Sequence, residues 1–302
     1  MAEKMTEKMK ENSQKFDPLK VTDRDTGKEY YGGDQNWYKS NTMAFAGCGS
    51  VAALNMLRTL AVKYPVEFKG KNVSDELGVL TEKVIYKDDF TYIMKDIYKS
   101  MFVLELPIIR RLCDLLKRGN KLFKFIPPSL GLSMFGFITG TLRFCAKRGL
   151  YLHVKVLPTA FTSYDRGLDF IREGLKKGGS VVMLTSLNRH PLRLYSGGVG
   201  ELNGGYDQKK GVRSHFMTIT DIVEDNPQGP LIKLTTWGRV ATVPYSRLNK
   251  SWHRMRAYTS CLYYFTPTDS PGLVKADMAK SYAVYVWAMI KGLLGWAVPG
   301  NR

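Results

Sequence analysis

The sequence predicts an α+β fold, with helices concentrated in the first half of the chain and antiparallel strands in the second. Residues 74–150 are predicted to be mainly helical, and so is the apolar stretch that follows Gly47. From residue 151 onward, short alternating or apolar runs are separated by Gly, Asn and Pro, a pattern typical of strands and hairpins. Because helices precede strands rather than alternating with them, the order favours an α+β layout over a parallel α/β sheet.

The first helix is predicted to begin at Cys48. Small and apolar side chains then recur at helical spacing, and Pro65 closes the run. Gly47 and Gly49 flank the cysteine, so the helix follows directly on a glycine-rich loop.

The second half is predicted to contain one further helix, over residues 163–179, which ends in a Gly C-cap. Asn-Pro and Gly-Pro pairs near residues 226–230 predict a hairpin turn. The predicted strands cover residues 151–158, 180–187, 213–225, 231–245 and 255–267.

We divide the chain into three parts. Residues 1–30 are predicted to be a flexible N-terminal arm, and residues 271–302 an apolar C-terminal helix. Residues 31–270 would form one domain, with a mainly helical lobe over 31–150 and a mainly β lobe over 151–270. At 302 residues the chain is long enough to bury a sizeable core.

The chain is strongly basic, with 45 Lys plus Arg against 27 Asp plus Glu and a formal net charge of +18. Such a surface attracts polyanions, including acidic peptides and anionic lipid. The basic residues are spread along the sequence without a nucleic-acid-binding signature, so no specific nucleic-acid partner is predicted.

Four cysteines occur at wide, irregular spacing: Cys48, Cys113, Cys145 and Cys261. No CxxC pair is present, so we predict no zinc site, no other metal site and no cofactor. The first 18 residues are charged and lack an apolar core, which argues against a secretory signal. We therefore expect a cytoplasmic protein with free thiols.

Two segments are apolar enough to raise the question of membrane contact. Residues 125–142 carry no charge but contain two prolines and three glycines, which favours a packed element over a spanning helix. Residues 281–298 are aromatic-rich and interrupted only by Lys291. This tail could dock on the protein body or lie on an anionic membrane surface, and both alternatives stay open.

Cys48 is the candidate nucleophile. Unpaired N–H groups at a helix N-terminus stabilise negative charge, which is one of the physical devices that turn a thiol into a thiolate. The backbone N–H of Cys48 would also be available to an oxyanion.

A nucleophilic cysteine needs an imidazole nearby in space. Of four histidines, His153 lies in a predicted strand, His190 in a loop and His253 in a basic segment. His215 begins a predicted strand directly after a glycine-rich loop, at an edge where a site could form. His215 is therefore the candidate base.

The ordered set of these features resembles the papain-like superfamily, closest to the branch with the bacterial double-glycine leader peptidases and phytochelatin synthase. The matching segments are Gly47-Cys48-Gly49 with its helix, then residues 170–184, 214–222 and 234–248. The resemblance implies a helical lobe, headed by Cys48 on its central helix, packed on an antiparallel β-barrel-like lobe that carries His215.

The resemblance also implies roles for neighbouring residues. Thr235 occupies the slot where the family has the Asn or Asp that orients the imidazole, and Trp237 corresponds to the Trp that shields the His pair from water. Gly47, Gly49 and Trp237 are expected at the substrate cleft. A Thr hydroxyl brings no charge, so it would stabilise an imidazolium less than a carboxylate does.

The family's oxyanion-hole Gln usually lies six residues before the nucleophile, where this chain has Thr42. Asn41, one position earlier, could donate an amide N–H if the loop is one residue longer. Gln35 lies farther along the chain and would reach the site only if the loop folds back.

The implied activity is acyl transfer from a peptide or amide substrate through a Cys48 thioester, with His215 as general base. Three interpretations of the site remain open: a Cys-His dyad enzyme, an enzyme whose site is completed by other residues, or a degenerate pseudoenzyme. In the last case the protein would bind an acidic partner or a membrane surface on the same scaffold.

Overall fold

A computed structural model of the protein describes residues 17–101, 132–159, 162–185, 192–196, 212, 214–253 and 260–297. The helices are α1 (Asn41–Ala46), α2 (Cys48–Lys63), α3 (Pro65–Phe68), α4 (Asp75–Gly78), α5 (Lys87–Ser100), α6 (Met134–Ala146), α7 (Tyr164–Gly178), α8 (Tyr245–His253) and α9 (Pro271–Ala297). Two 3-10 helices span Gln35–Trp37 and Val79–Thr81. The strands are β1 (Lys20–Thr22), β2 (Glu29–Tyr31), β3 (Ile85–Tyr86), β4 (Leu152–Pro158), β5 (Val181–Thr185), β6 (Tyr195–Ser196), β7 (His215–Val223), β8 (Leu231–Thr236), β9 (Arg239–Pro244) and β10 (Cys261–Pro267).

The larger sheet contains seven strands among the described residues, in the order β4-β10-β5-β7-β8-β9-β6, and all neighbours are antiparallel. Its edge strands β4 and β6 do not pair, so the sheet is open and the expected barrel-like lobe is wrong. The edge β4 is covered by α9, where the Asp277 carboxylate accepts the N–H of Val154 at 2.9 Å. The Asp277 side chain thus accepts a backbone N–H of the edge strand that, in a closed barrel, would bond to a neighbouring strand.

A smaller sheet, with the order β2-β1-β3, lies in the first half of the chain. Leu19 and Val21 are buried there, and Lys87 at the start of α5 makes an ion pair with Asp23 at 2.7 Å. The predicted flexible arm over residues 1–30 therefore contains two paired strands in its described part, residues 17–30. The cause is burial of these apolar side chains against the helical layer, a long-range contact without a local sequence signature.

Helix α2 is the central helix of the fold and begins at Cys48, as the sequence predicts. It is buried on nearly all sides, from Gly49 to Ala61, and packs against α5, α6, α7, β5, β7 and β10. The hydroxyl of Thr218 on β7 donates to the carbonyl of Ala52 at 3.3 Å. This contact ties the helix to the strand that carries His215.

The predicted helix and the described parts of the predicted strands are present in the second half, with shifts of a few residues at their ends. The strand predicted over residues 231–245 is instead divided by a turn into β8 and β9, which pair with each other, and helix α8 follows where no helix is predicted. Helix α7 begins after Ser163, whose hydroxyl accepts the N–H of Arg166 at 3.4 Å. Gly179 caps its C-terminus and has a φ of 75°, in the left-handed region that favours glycine.

The described part of the C-terminal helix α9 packs against α6 and β4. Tyr282 makes an edge contact with Phe135 at 5.4 Å between ring centroids, yet 55% of its surface is exposed. None of the described helices is long and apolar enough to cross a bilayer. Contact of residues 281–298 with a membrane surface stays a prediction, and part of the apolar segment 125–142 lies outside the described residues.

Candidate active site

Cys48 and His215 line one small cavity of about 10 Å³ at the junction of α2 with the larger sheet. Helix α2 contributes Cys48 and, two turns later, Asn55, while the 3-10 helix contributes Gln35. Strands β7 and β8 and the turn after β8 supply the other side of the lining, including His215 and Thr236. The tertiary structure therefore brings the two residues of the predicted pair together from 167 positions apart in the sequence (215 − 48).

The two glycines beside Cys48 serve close packing. A Cβ at Gly47 would overlap the Tyr38 ring and the carbonyl of Met43, and one at Gly49 would overlap the side chain of Leu132. Neither glycine lines the cavity, so their predicted place in a substrate cleft stays a prediction. Their small size allows the chain to turn from α1 into α2 beneath these groups.

Cys48 is half-buried as a residue, while protein atoms surround its thiol. This desolvation raises the pKa of the Cys48 thiol, because burial disfavours the charged thiolate. The backbone N–H groups of Phe216, Gly49 and Cys48 itself act in the opposite direction but do not overcome burial. The helix terminus thus supplies the expected donors without lowering the pKa below its ordinary value.

His215 is buried, with 7% of its surface exposed. Burial lowers the pKa of its imidazole to about 3, because the imidazolium form would lose its hydration. The backbone of His215 is held by Thr185 on β5, whose hydroxyl accepts the N–H of His215 and donates to its carbonyl at 3.2 Å. The raised pKa of Cys48 and the lowered pKa of His215 together favour a neutral thiol and a neutral imidazole in the substrate-free protein.

The imidazole is hydrogen-bonded through Nε2 to the hydroxyl of Thr236 at 2.7 Å. The sequence-based assignment of this role to Thr235 is wrong, because the Thr235 hydroxyl donates to the carbonyl of Tyr31 instead. Successive side chains of a strand point to opposite faces. The pairing register of β7 with β8, Thr218 opposite Thr235, directs Thr236 rather than Thr235 to the imidazole.

Trp237 covers one face of the imidazole. Its indole stacks on the His215 ring with centroids 4.4 Å apart and planes inclined by 15°. Trp237 and Gly238 connect β8 to β9 and have φ angles of 50° and 70°, as in a two-residue type I′ hairpin loop. Trp237 lines the cavity of Cys48 and His215.

Neither of the two residues predicted to complete the oxyanion site reaches the cavity. Asn41 is exposed at the start of α1, and Thr42 is buried one residue later, outside the lining. Gln35 lines the cavity in their place, thirteen residues before Cys48 (48 − 35). Because helix α1 takes up the residues directly before Cys48 in the sequence, the chain must fold back to bring the Gln35 amide to the nucleophile.

The loop that carries Gln35 is held by hydrogen bonds of its backbone groups to α2 and to the β8–β9 turn. The Gly33 N–H donates to Oδ1 of Asn55 at 2.9 Å, and the Gly33 carbonyl accepts the Gly238 N–H at 3.0 Å. The Tyr31 N–H donates to the carbonyl of Gly238 at 2.8 Å. The Gly32-Gly33-Asp34 run, a strong turn signal, was the feature of the sequence that could have pointed to this fold-back.

No group of three or more His, Cys, Asp and Glu residues suited to a metal ion occurs among the described residues. The side chains that line the cavity include one thiol, one imidazole, two amides and two hydroxyls.

Comparisons with known proteins add little to this geometry. No family model matches the chain, and no curated protein matches it. Among solved structures, the chain is similar to the Pseudomonas avirulence protein AvrPphB, with 10% identity over 78% of this chain and 94% of that one. The TM-score of this similarity is 0.28.

Proposed function

We propose that the protein is a papain-like cysteine peptidase or amidase that acts through a thioester on Cys48. The observation that carries the proposal is the shared cavity of Cys48 and His215, in which the imidazole is held through Nε2 by Thr236. A nucleophile, its base and an orienting group are the minimum set for this chemistry. Thr236 supplies the orientation without the charge of a carboxylate.

The first step is attack of the Cys48 sulfur on the carbonyl carbon of a peptide or amide. Because the thiol and the imidazole are both neutral at rest, the thiol proton passes to Nδ1 of His215 as the sulfur attacks. The Nε2–H of the ring donates to Thr236 in this tautomer. The imidazolium then protonates the leaving amine as the C–N bond breaks, and water hydrolyses the remaining thioester with His215 again as base.

The oxyanion formed on attack needs hydrogen-bond donors that are already in place. The backbone N–H of Cys48 at the head of α2 is one. The side-chain amide of Gln35, in the same cavity, is the second. This assignment replaces Asn41 and Thr42.

Two observations favour a second function, that of a catalytically degenerate binding protein on the same scaffold. The cavity beside Cys48 has room for about one water molecule, and His215 has a pKa near 3. In that case the net charge of +18 would select an acidic partner.

Acylation of Cys48 by p-nitrophenyl acetate separates the two functions. The proposal predicts a burst of p-nitrophenolate and a mass increase of one acetyl group on the peptide that contains Cys48. His215→Gln should slow this acylation by about 100-fold, the usual contribution of a general base, and Cys48→Ala should abolish it.

Cys261→Ala is the matched control, because Cys261 is a fully buried thiol outside the cavity. This variant should be acylated at the wild-type rate. Equal acylation rates of Cys48 in the wild type and in His215→Gln would contradict the peptidase proposal and favour the binding protein.

A further inference from the structure

Two unpaired amide groups line the cavity beside Cys48. The Oε1 atom of Gln35 and the Nδ2 atom of Asn55 are both buried, and neither has a hydrogen-bond partner among the described residues. Both side chains line the same cavity of about 10 Å³. A buried polar atom without a partner is costly, so a pair of them in one cavity calls for a physical explanation.

The orientation of the Asn55 amide is fixed by its other end. Its Oδ1 accepts the backbone N–H of Gly33 at 2.9 Å, a bond that only an oxygen can accept. The donor end, Nδ2, is therefore the end that needs an acceptor in the cavity. Asn55 is 1% exposed, so bulk water does not supply one.

The Oε1 atom of Gln35 is in the opposite situation, because it is an acceptor that lacks a donor. The two atoms do not bond each other, since neither has a hydrogen-bond partner among the described residues. A water molecule can accept from one amide and donate to the other, and a cavity of this size has room for about one. Thr235 and Thr236 line the same cavity, and a hydroxyl oxygen can accept a further hydrogen bond from the water.

We propose that the cavity binds one ordered water molecule that accepts a hydrogen bond from Asn55 Nδ2 and donates one to Gln35 Oε1. Asn55 is thereby a positioning residue for Gln35. With Oε1 held by the water, Nε2 of Gln35 is turned away from Asn55 and is free to donate to the oxyanion at Cys48. This positioning role rests on the proposed peptidase function, whereas the water site itself does not.

Asn55 acts through Gln35 rather than on the substrate. It lies seven residues after Cys48 on the same helix (55 − 48), which corresponds to roughly 10 Å along the helix axis. That distance places its amide beyond hydrogen-bond reach of an oxyanion at the helix start.

A crystal structure of the wild-type protein at high resolution tests the water site directly. We expect a well-ordered water within about 3.2 Å of both Gln35 Oε1 and Asn55 Nδ2. A cavity without such a peak, or a Gln35 side chain turned out of it, would overturn the site. This result does not depend on turnover.

Asn55→Asp tests the positioning role, because a carboxylate keeps the acceptor for Gly33 but removes the donor for the water. Acylation of Cys48 by p-nitrophenyl acetate should slow about tenfold, part of the loss seen when an oxyanion donor is removed. In a Gln35→Ala background the same change should slow acylation less than about twofold, since coupled sites are not additive. Equal slowing in both backgrounds would overturn the role.

Two controls separate positioning from general damage. Alkylation of Cys48 by iodoacetamide forms no oxyanion, so its rate should stay the same in Asn55→Asp. Asn249→Asp places a carboxylate at another buried amide with an unpaired Nδ2, outside the cavity, and should leave acylation unchanged.

Should Asn55→Asp not fold, Asn55→Ser, whose hydroxyl can still accept from Gly33, takes its place in the double-mutant comparison. Absence of acylation in the wild type would contradict the peptidase and leave the water site to the crystal structure.

Discussion

The indole of Trp237 lies flat on the imidazole of His215, with the ring centroids 4.4 Å apart. Trp237 holds this position in a left-handed backbone conformation, φ 50°, which is unfavourable for a bulky residue and is tolerated where surrounding structure imposes it. Strand β8 on one side and β9 on the other fix the loop. The stack therefore removes one whole face of the imidazole from water.

Replacement of Trp237 should change the titration of His215. Because burial lowers the pKa of His215 to about 3, Trp237→Ala, which opens one face of the ring to water, should raise it toward the ordinary value of about 6.5. Trp237→Phe retains an aromatic cover and should give a smaller rise. The measurement is an NMR titration of the imidazole C–H protons. A His215 pKa in Trp237→Ala equal to that of the wild type would contradict shielding by the indole.

Acid should destabilise the wild type through His215. The unfolded chain binds a proton at His215 near pH 6.5, whereas the folded chain binds it only near pH 3. Between these values the unfolded state holds more protons, so the free energy of unfolding falls as the pH falls. From pH 7 to pH 4 the loss attributable to His215 should be on the order of 3 kcal/mol.

Urea unfolding of the wild type and of His215→Gln at both pH values measures this loss. His215→Gln keeps a polar side chain beside Thr236 but does not titrate, so it should lose less stability on acidification. Equal losses in the two proteins would show that other groups account for the acid sensitivity.

The two adjacent threonines of β8 should differ in what their loss affects. Thr236→Val removes the partner of His215 Nε2 and should slow acylation of Cys48 by about tenfold, since the imidazole loses its orienting hydrogen bond. Thr235→Val removes the bond to the Tyr31 carbonyl and should lower the free energy of unfolding by about 1–3 kcal/mol. The reverse pattern would restore the family-like assignment of Thr235.

The Asp277 carboxylate should anchor the C-terminal helix. It is 6% exposed and accepts from the Val154 N–H at 2.9 Å and bonds His153 Nδ1 at 2.7 Å. Asp277→Ala should lower the free energy of unfolding by about 2–3 kcal/mol, because a buried N–H loses its acceptor.

Lys280→Ala is the matched control for Asp277→Ala, since Lys280 is exposed three residues later on the same helix. Its effect should stay within about 0.5 kcal/mol, as for most surface substitutions. Urea unfolding of both variants decides the comparison, and equal effects would contradict an anchoring role for Asp277.

Local sequence signals were sufficient for part of the candidate site. The glycine-flanked start of α2 at Cys48 and the strand that begins at His215 follow from helix and strand patterns alone. The hairpin turn near residues 226–230 follows from its Asn-Pro and Gly-Pro pairs. These features depend on side chains within a few positions of each other, which is why a single sequence reveals them.

The choice of partners for these residues depended on contacts that no local pattern encodes. A shift of one residue in strand pairing exchanges the two faces of a strand, so only the register of β7 with β8 distinguishes Thr236 from Thr235. Gln35 reaches the cavity through hydrogen bonds of Gly33 to Asn55 on α2 and to Gly238 in the hairpin.

The sequence by itself therefore determined which elements carry Cys48 and His215 and the order in which they follow one another. Only the tertiary structure decided that the sheet stays open at β4, that β1 and β2 pair within the predicted arm, and that Thr236, Gln35 and Asn55 line the cavity of the reactive pair. The physical reason is that propensity and turn chemistry act between neighbours in the chain. Register, burial and the pairing of buried polar atoms are settled only when distant segments pack together.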